Sequence, residues 1–399
     1  MPNQRLWTCF AALALFTGCP TTDDDEDTAA AETSGTGSTG APLTSSTMGG
    51  SGSTTDDSGS GSTTGSGSTS IDPDTGSDSG SGSTTGGQQG CGMPVELGVA
   101  AVGDLDIDGF HVVDGRIAAA VRGDGIALLD ASDPAEVSLL GMIDPAGGPT
   151  YRAAMLGDLL VGGRRGGGAF MVDAADPANM VELWVDEDLD TEDILYGDLL
   201  YLASSAGVSV VDVATPGTPN VLIQDLQQDG NDMNIGGSTL TMEADVLYMA
   251  GFSFTSIDVS APATPTTLAD VDDTGRPDNL VSGNGYVYVG GNDGVQIFDV
   301  ADPAAPVLVG AYDGERAALL ALDADNDRLF VFGSSTTSTD VPLLRVVDVT
   351  DKANPTEIGS MYDELDDPLW AQYEDGTLYF STEATDPASL YILDGCPPA

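Results

Sequence analysis

One histidine, four cysteines and eleven basic residues stand against 64 acids in a chain of 399 residues, and this scarcity limits the chemistry open to it. A Ser-His-Asp or Cys-His nucleophile would have to run through His111, which has no serine or cysteine elbow beside it. A lone histidine in an apolar strand more often fills a packing position. A histidine-rich metal centre is excluded by count. Carboxylate chemistry stays open. Asp104, Asp106 and Asp108 in "DLDIDG" hold positions one, three and five of a calcium-type loop with glycine at six, but position twelve is Gly115, where that loop needs a bidentate carboxylate. The alternating Leu105 and Ile107 suit a strand equally well. "DADNDR" at 323–328 has a similar look and reads as a hairpin tip. Paired carboxylates for glycoside cleavage cannot be singled out among so many acids.

Among the few cations, Arg152, Arg276 and Arg316 fall in or beside segments that connect strands, together with Tyr151, His111 and Trp370. Such a group could make an anion or glycan pocket, since arginine forks onto carboxylates and aromatic faces stack on sugar rings. The plainer alternative is that each arginine pairs with a nearby acid such as Asp278 or Glu315. The formal charge of −53 excludes nucleic acid as a partner, because such affinity comes from Lys and Arg releasing counterions. Direct binding to anionic lipid is excluded likewise.

The elements that would position these residues begin after residue 90. Arg5 and the apolar run Leu6 to Phe16 read as an export signal, too short for a membrane span. Thr17-Gly18-Cys19 closes it, and "LFTGC" resembles the lipobox of bacterial lipoproteins. That resemblance implies a signal peptide at 1–18, removed with Cys9, and a lipid such as palmitate on Cys19. The expected address is the bacterial cell envelope, anchored in the outer membrane. Residues 20–90 are Thr, Ser, Gly and Asp with no aromatic or basic residue, so 19–90 is expected to be a disordered, lipid-anchored tether. Its root-mean-square span would be roughly 45 Å.

From Cys91 to Ala399 a phrase recurs: "ALLDASDP", "FMVDAADP", "SVVDVATP", "TSIDVSAP", "QIFDVADP", "RVVDVTDK" and "YILDGCPP". Its aspartates are Asp130, Asp173, Asp212, Asp258, Asp299, Asp348 and Asp394, a period near 44 residues that fits a four-stranded propeller blade. "NLVSG", "YVYVGG", "VQIFDV" and "PVLVGAY" supply the four strands of the fifth period, with turn sequences between them. The expected fold is therefore all-β: a seven-bladed β-propeller over 91–399. The aspartates are expected to accept backbone hydrogen bonds in the turn to the fourth strand. "ERAALLALDAD" at 315–325 has helical propensity, but the register makes it an innermost strand. "PVELGVAAV" at 94–102 is a fourth strand with no blade before it, and the last period stops after its third strand. The N-terminal strand is thus expected to close the last blade, placing Cys91 beside Cys396 for a disulfide in an oxidising compartment.

These phrases resemble the LVIVD repeat, a bacterial β-propeller repeat common in exported and lipid-anchored proteins. The resemblance implies fold and carries no catalytic residues. The reading is a monomeric, non-enzymatic binding or adhesion module with a protein or glycan ligand at the channel face, reaching the membrane through its lipid only. The alternative is a propeller hydrolase using calcium held by axial carboxylates. Three or four converging acids on the axis would favour the enzyme, and apolar, small inner strands such as "HVVDG" and "AAMLG" favour the module.

Overall fold

A computed structural model describes residues 91–398 apart from 102–104, 146–147, 227–238, 252, 272–273, 275–276, 314–315, 335–341, 362–367 and 384–388. The expected signal peptide, the expected tether and Cys19 lie outside the described residues.

Strand β1 is Val95–Ala101. Blade 1 is β2 (Ile107–Val113), β3 (Arg116–Val121), β4 (Gly125–Asp130) and β5 (Ser138–Ile143). Blade 2 is β6 (Arg152–Leu156), β7 (Leu159–Arg164), β8 (Gly168–Asp173) and β9 (Val181–Asp186). Blade 3 is β10 (Asp193–Tyr196), β11 (Leu200–Ser204), β12 (Gly207–Asp212) and β13 (Asn220–Leu226). Blade 4 is β14 (Thr239–Glu243), β15 (Val246–Ala250), β16 (Phe254–Asp258) and β17 (Thr266–Val271). Blade 5 is β18 (Pro277–Gly283), β19 (Tyr286–Gly291), β20 (Gly294–Asp299) and β21 (Val307–Asp313). Blade 6 is β22 (Leu319–Asp323), β23 (Arg328–Ser334), β24 (Pro342–Asp348) and β25 (Thr356–Met361). The last three strands are β26 (Pro368–Glu374), β27 (Thr377–Thr382) and β28 (Ser389–Asp394). They form a sheet in the order β1-β28-β27-β26, so the N-terminal strand supplies the outer edge of blade 7 as the repeat register requires. The run at 315–325 holds β22, an innermost strand, so the tertiary register overrides its helical propensity.

Each recurring aspartate does one job. Oδ1 of Asp130, Asp173, Asp212, Asp258, Asp299, Asp348 and Asp394 accepts the backbone N–H two residues on, at 2.8–3.0 Å. These bonds hold the turn out of the third strand, and hydrogen bonding keeps the Asp130 and Asp258 carboxyls below the usual range. A second aspartate three residues later repeats the turn in four blades: Asp133, Asp176, Asp302 and Asp351 each accept an N–H two residues on.

The core is divided among the blade junctions. Seven apolar clusters each combine residues of neighbouring blades, such as Phe330 and Phe332 of blade 6 with Phe380 and Leu393 of blade 7. A fully buried side chain of this size contributes about 1.5–3 kcal/mol, so each junction carries a substantial share of the stability. The outer strands are held differently. In β21 a bulge follows Leu308, and Gly310 then faces Ile297. A Cβ on Gly310 would lie 2.0 Å from the carbonyl oxygen of Lys352 in the turn of blade 6. The glycine of the "PVLVGAY" phrase therefore lets one blade's outer strand touch the next blade's turn. Gly98 of β1 does the same against Pro134 of blade 1, so the closing strand uses the junction common to the ring.

The two ends of the described segment meet at blade 7. Cys91 and Cys396 form the expected disulfide, with Cα atoms 4.7 Å apart across 305 residues of sequence. Gly92 N–H donates to Pro397 O at 2.7 Å, and Arg328 of blade 6 donates from Nη2 to Gly92 O (2.8 Å) and from Nη1 to Gly395 O (2.5 Å).

Candidate functional site

The inner strands begin where each outer strand hands over to the next blade, and Arg152 opens β6 at that face. Its guanidinium carbon lies 4.4 Å from the ring centroid of Trp370 on β26, so the side chain reaches from blade 2 past blade 1 to blade 7. Gly109 of β2 makes room, because a Cβ there would sit 3.1 Å from Arg152 Cδ. Nη1 donates to Tyr151 O at 2.9 Å. Nε is buried and donates to nothing, and among the described residues the nearest carboxylate oxygen, Oδ1 of Asp193 on β10, is 3.9 Å from it. That is a charge contact and too long for a hydrogen bond. The Nε edge of the fork is thus aimed but unsatisfied.

Asp193 is buried and accepts N–H groups from Ile194 (2.9 Å) and from Leu240 on blade 4 (2.7 Å). Burial pushes its carboxyl up to about 6, against the pull of Arg152 and those two N–H groups. Burial also lowers the Arg152 guanidinium. Both partners shift toward neutrality because desolvation outweighs their attraction at this distance. The folded pKa of Asp193 lies above its unfolded value, so the folded state is penalised as pH rises through 4 to 6 and relieved as pH falls. Asp193→Asn removes that titration. Wild type should therefore gain about 1 kcal/mol on the variant between pH 7 and pH 5, or about 2–4 °C in relative Tm. A Tm difference that stays flat across this range in thermal melts would contradict the assignment.

The other candidates are dispersed. Tyr151 lies beside Arg152, with Arg165 5.8 Å from its ring centroid, and Arg165 in turn pairs with Glu192 at 3.6 Å. Arg316 pairs with Asp278 at 2.9 Å beside blades 5 and 6, as the plainer alternative had it. Arg276 and Asp104 lie outside the described residues. Asp106 and Asp108 bracket a cation supplied by the chain itself: Arg122 Nε donates to Asp108 at 2.9 Å, with Asp106 at 3.6 Å and Glu383 at 3.3 Å from Nη1. The hydrogen bond to Asp108 raises the guanidinium's pKa further.

His111 is a fastener. Its Nδ1 accepts from Met155 N–H on the next blade at 3.1 Å, and burial lowers its pKa, so it stands as neutral imidazole. Sequence reasoning missed that this is one of a series. Asp193 bonds Leu240, Asn279 bonds Leu320 N–H at 3.0 Å, and Gln372 bonds both Val112 N–H (2.9 Å) and Val112 O (3.0 Å). Blades 1, 3, 5 and 7 thus each use one inner-strand polar side chain to hold the next blade's inner strand. The available signal was a polar residue within an otherwise apolar inner strand. Among the described residues one triad of metal-ligating side chains lies within mutual reach, Cys91, Asp323 and Cys396, and its sulfurs are joined to each other.

The LVIVD repeat model matches residues 278–314 and 343–363, which fall in blades 5 and 6. No curated protein matches the chain. Solved structures similar to it include a chain of the mitotic checkpoint complex (TM-score 0.59, 13% identity, 79% of this chain and 96% of that one). Saccharomyces cerevisiae Sqt1 (0.53, 9%, 74% and 83%) and the computationally designed Ika8 protein (0.50, 11%, 74% and 98%) are similar as well. At these identities the likeness shows the fold alone.

Proposed function

We propose that this propeller of LVIVD repeats is a non-enzymatic binding or adhesion module, carried on the bacterial cell envelope by a lipid on Cys19 and the tether of residues 19–90. Its ligand meets the channel face at Arg152. The observation that carries this reading is the Arg152 guanidinium, partly exposed, stacked on Trp370 and held at Nη1 by Tyr151 O, with the neighbouring Asp193 carboxylate too far away to hydrogen-bond it. An arginine fixed in this way is pre-organised for a carboxylate, because its planar fork loses little freedom on pairing. The ring of Trp370 faces a guanidinium, which favours an acidic ligand group over simple sugar stacking. The inner-strand polar groups His111, Asn279 and Gln372 are committed to neighbouring blades, and Asp106 and Asp108 to Arg122. Of the three acids that the calcium-hydrolase alternative would use, Asp106 and Asp108 thus face a cation of the chain itself, and Asp104 lies outside the described residues.

The test is calorimetric titration of the purified chain with glucuronate, with glucose as the neutral control. Glucuronate should bind and glucose should not, and Arg152→Lys, which keeps the charge but loses the fork, should weaken binding at least about tenfold. Binding should be tighter at pH 5.5 than at 7.5, since protonated Asp193 no longer competes for Arg152. Equal binding of glucuronate by wild type and Arg152→Lys would overturn the site.

A further inference from the structure

Residues 19–90 enter the propeller at Cys91, so any pull on them is delivered there. The strand that follows is poorly suited to bear it. Val95, Leu97 and Val99 of β1 are 52%, 43% and 44% exposed, and β1 is held to β28 mainly by its backbone ladder. Strands with few buried apolar contacts open at low cost, and a ladder loaded from one end opens bond by bond. Two cross-links lie ahead of it. The Cys91–Cys396 disulfide passes load directly to the segment that follows β28, the central strand beside β1. Arg328, buried at the start of β23, holds Gly92 O and Gly395 O from one guanidinium, so part of the load reaches blade 6. The residues adjoining both half-cystines are thus held from the neighbouring blade. Asp323, packed at the same place, accepts from Asn326 N–H at 3.2 Å and from the Tyr373 hydroxyl, tying blade 6 to blade 7.

We infer that the Cys91–Cys396 bridge and Arg328 form a load-bearing clasp that keeps tension on the tether from peeling β1 out of blade 7. This rests on the reading of residues 19–90 as a tether, but it is testable without the lipid. In an exported protein the bridge would be the point at which a surface-anchored domain resists being pulled by a bound partner. Its loss would leave β1 joined to blade 7 by the β1–β28 ladder and the bonds at Gly92.

The experiment is single-molecule pulling on the full chain, with one handle on Ser45 and the other on exposed Asp293 of blade 5. With the disulfide intact, the chain ahead of Cys91 should straighten and no further step should precede unfolding of the propeller itself. After a thiol reductant, with reduction verified by thiol counting, an early step of about 35–40 Å should appear, the contour of residues 91–101. Arg328→Gln should lower the force of that step in the reduced protein. Cys91→Ser should reproduce the step without reductant, which covers incomplete reduction. An early step in the oxidised protein, or none in the reduced protein and Cys91→Ser, would overturn the clasp. Failure of lipid labelling at Cys19 would instead count against the anchor and leave this result standing.

Discussion

Deleting residues 91–101 is expected to cost more than 5 kcal/mol and to yield protein that aggregates or self-associates. The deletion removes the disulfide, whose closure of a loop of about 300 residues is worth on the order of 5 kcal/mol in the chain-entropy model. It also strips the ladder from β28, leaving an unpaired edge that can recruit another chain. Finally it takes Gly92 O from Arg328, so a buried guanidinium loses one of its two carbonyls. Against a typical stability of about 5–15 kcal/mol this is a large fraction. Deleting eleven residues within 45–60 should leave the melting temperature unchanged. Size-exclusion chromatography and thermal melts of the two deletions make the comparison. A monomeric 91–101 deletion that melts with wild type would mean that β1 does not close the ring.

Gly310→Ala is the second change with a large expected effect. The added Cβ would sit 2.0 Å from Lys352 O, a backbone atom in a turn already fixed by the bonds of Asp348 and Asp351. Neither side can yield cheaply, because β21 is bulged at that point and the turn is tied at both ends. The expected loss is about 2–3 kcal/mol, or about 5 °C or more in Tm. Gly217→Ala, where a Cβ meets open space, should be close to neutral. If Gly310→Ala melts with wild type, the close approach of blades 5 and 6 does not exist in solution.

The repeat was legible because its marker is local. An aspartate that bonds an N–H two residues away must recur with the turn it makes, so Asp130 through Asp394 counted the blades and fixed the register. That register also placed β22 where propensity favoured helix, and assigned 95–101 to the far end of the chain. What sequence could not give was contact between blades. His111 meets Met155, and Asn279 meets Leu320, about one period apart, and Gln372 meets Val112 across the ring closure. No local pattern marks such partners. Arg328 was missed for the same reason, since its acceptors flank the two cysteines at opposite ends of the domain. Tyr151, Arg152 and Trp370 were chosen on type and position and do lie at one end of the inner strands. Their chemistry differs from the expectation in one respect, because the ring of Trp370 meets a guanidinium. Arg316 belongs to a separate pair with Asp278.

The proposed presentation of the propeller from the envelope by a lipid on Cys19 is tested most directly by metabolic labelling with an alkyne palmitate analogue. Wild type should label and sediment with membranes. Cys19→Ser should remain unlabelled and appear as released, soluble protein with its propeller folded. Labelling of Cys19→Ser equal to wild type, or wild type that is unlabelled and soluble, would contradict the account.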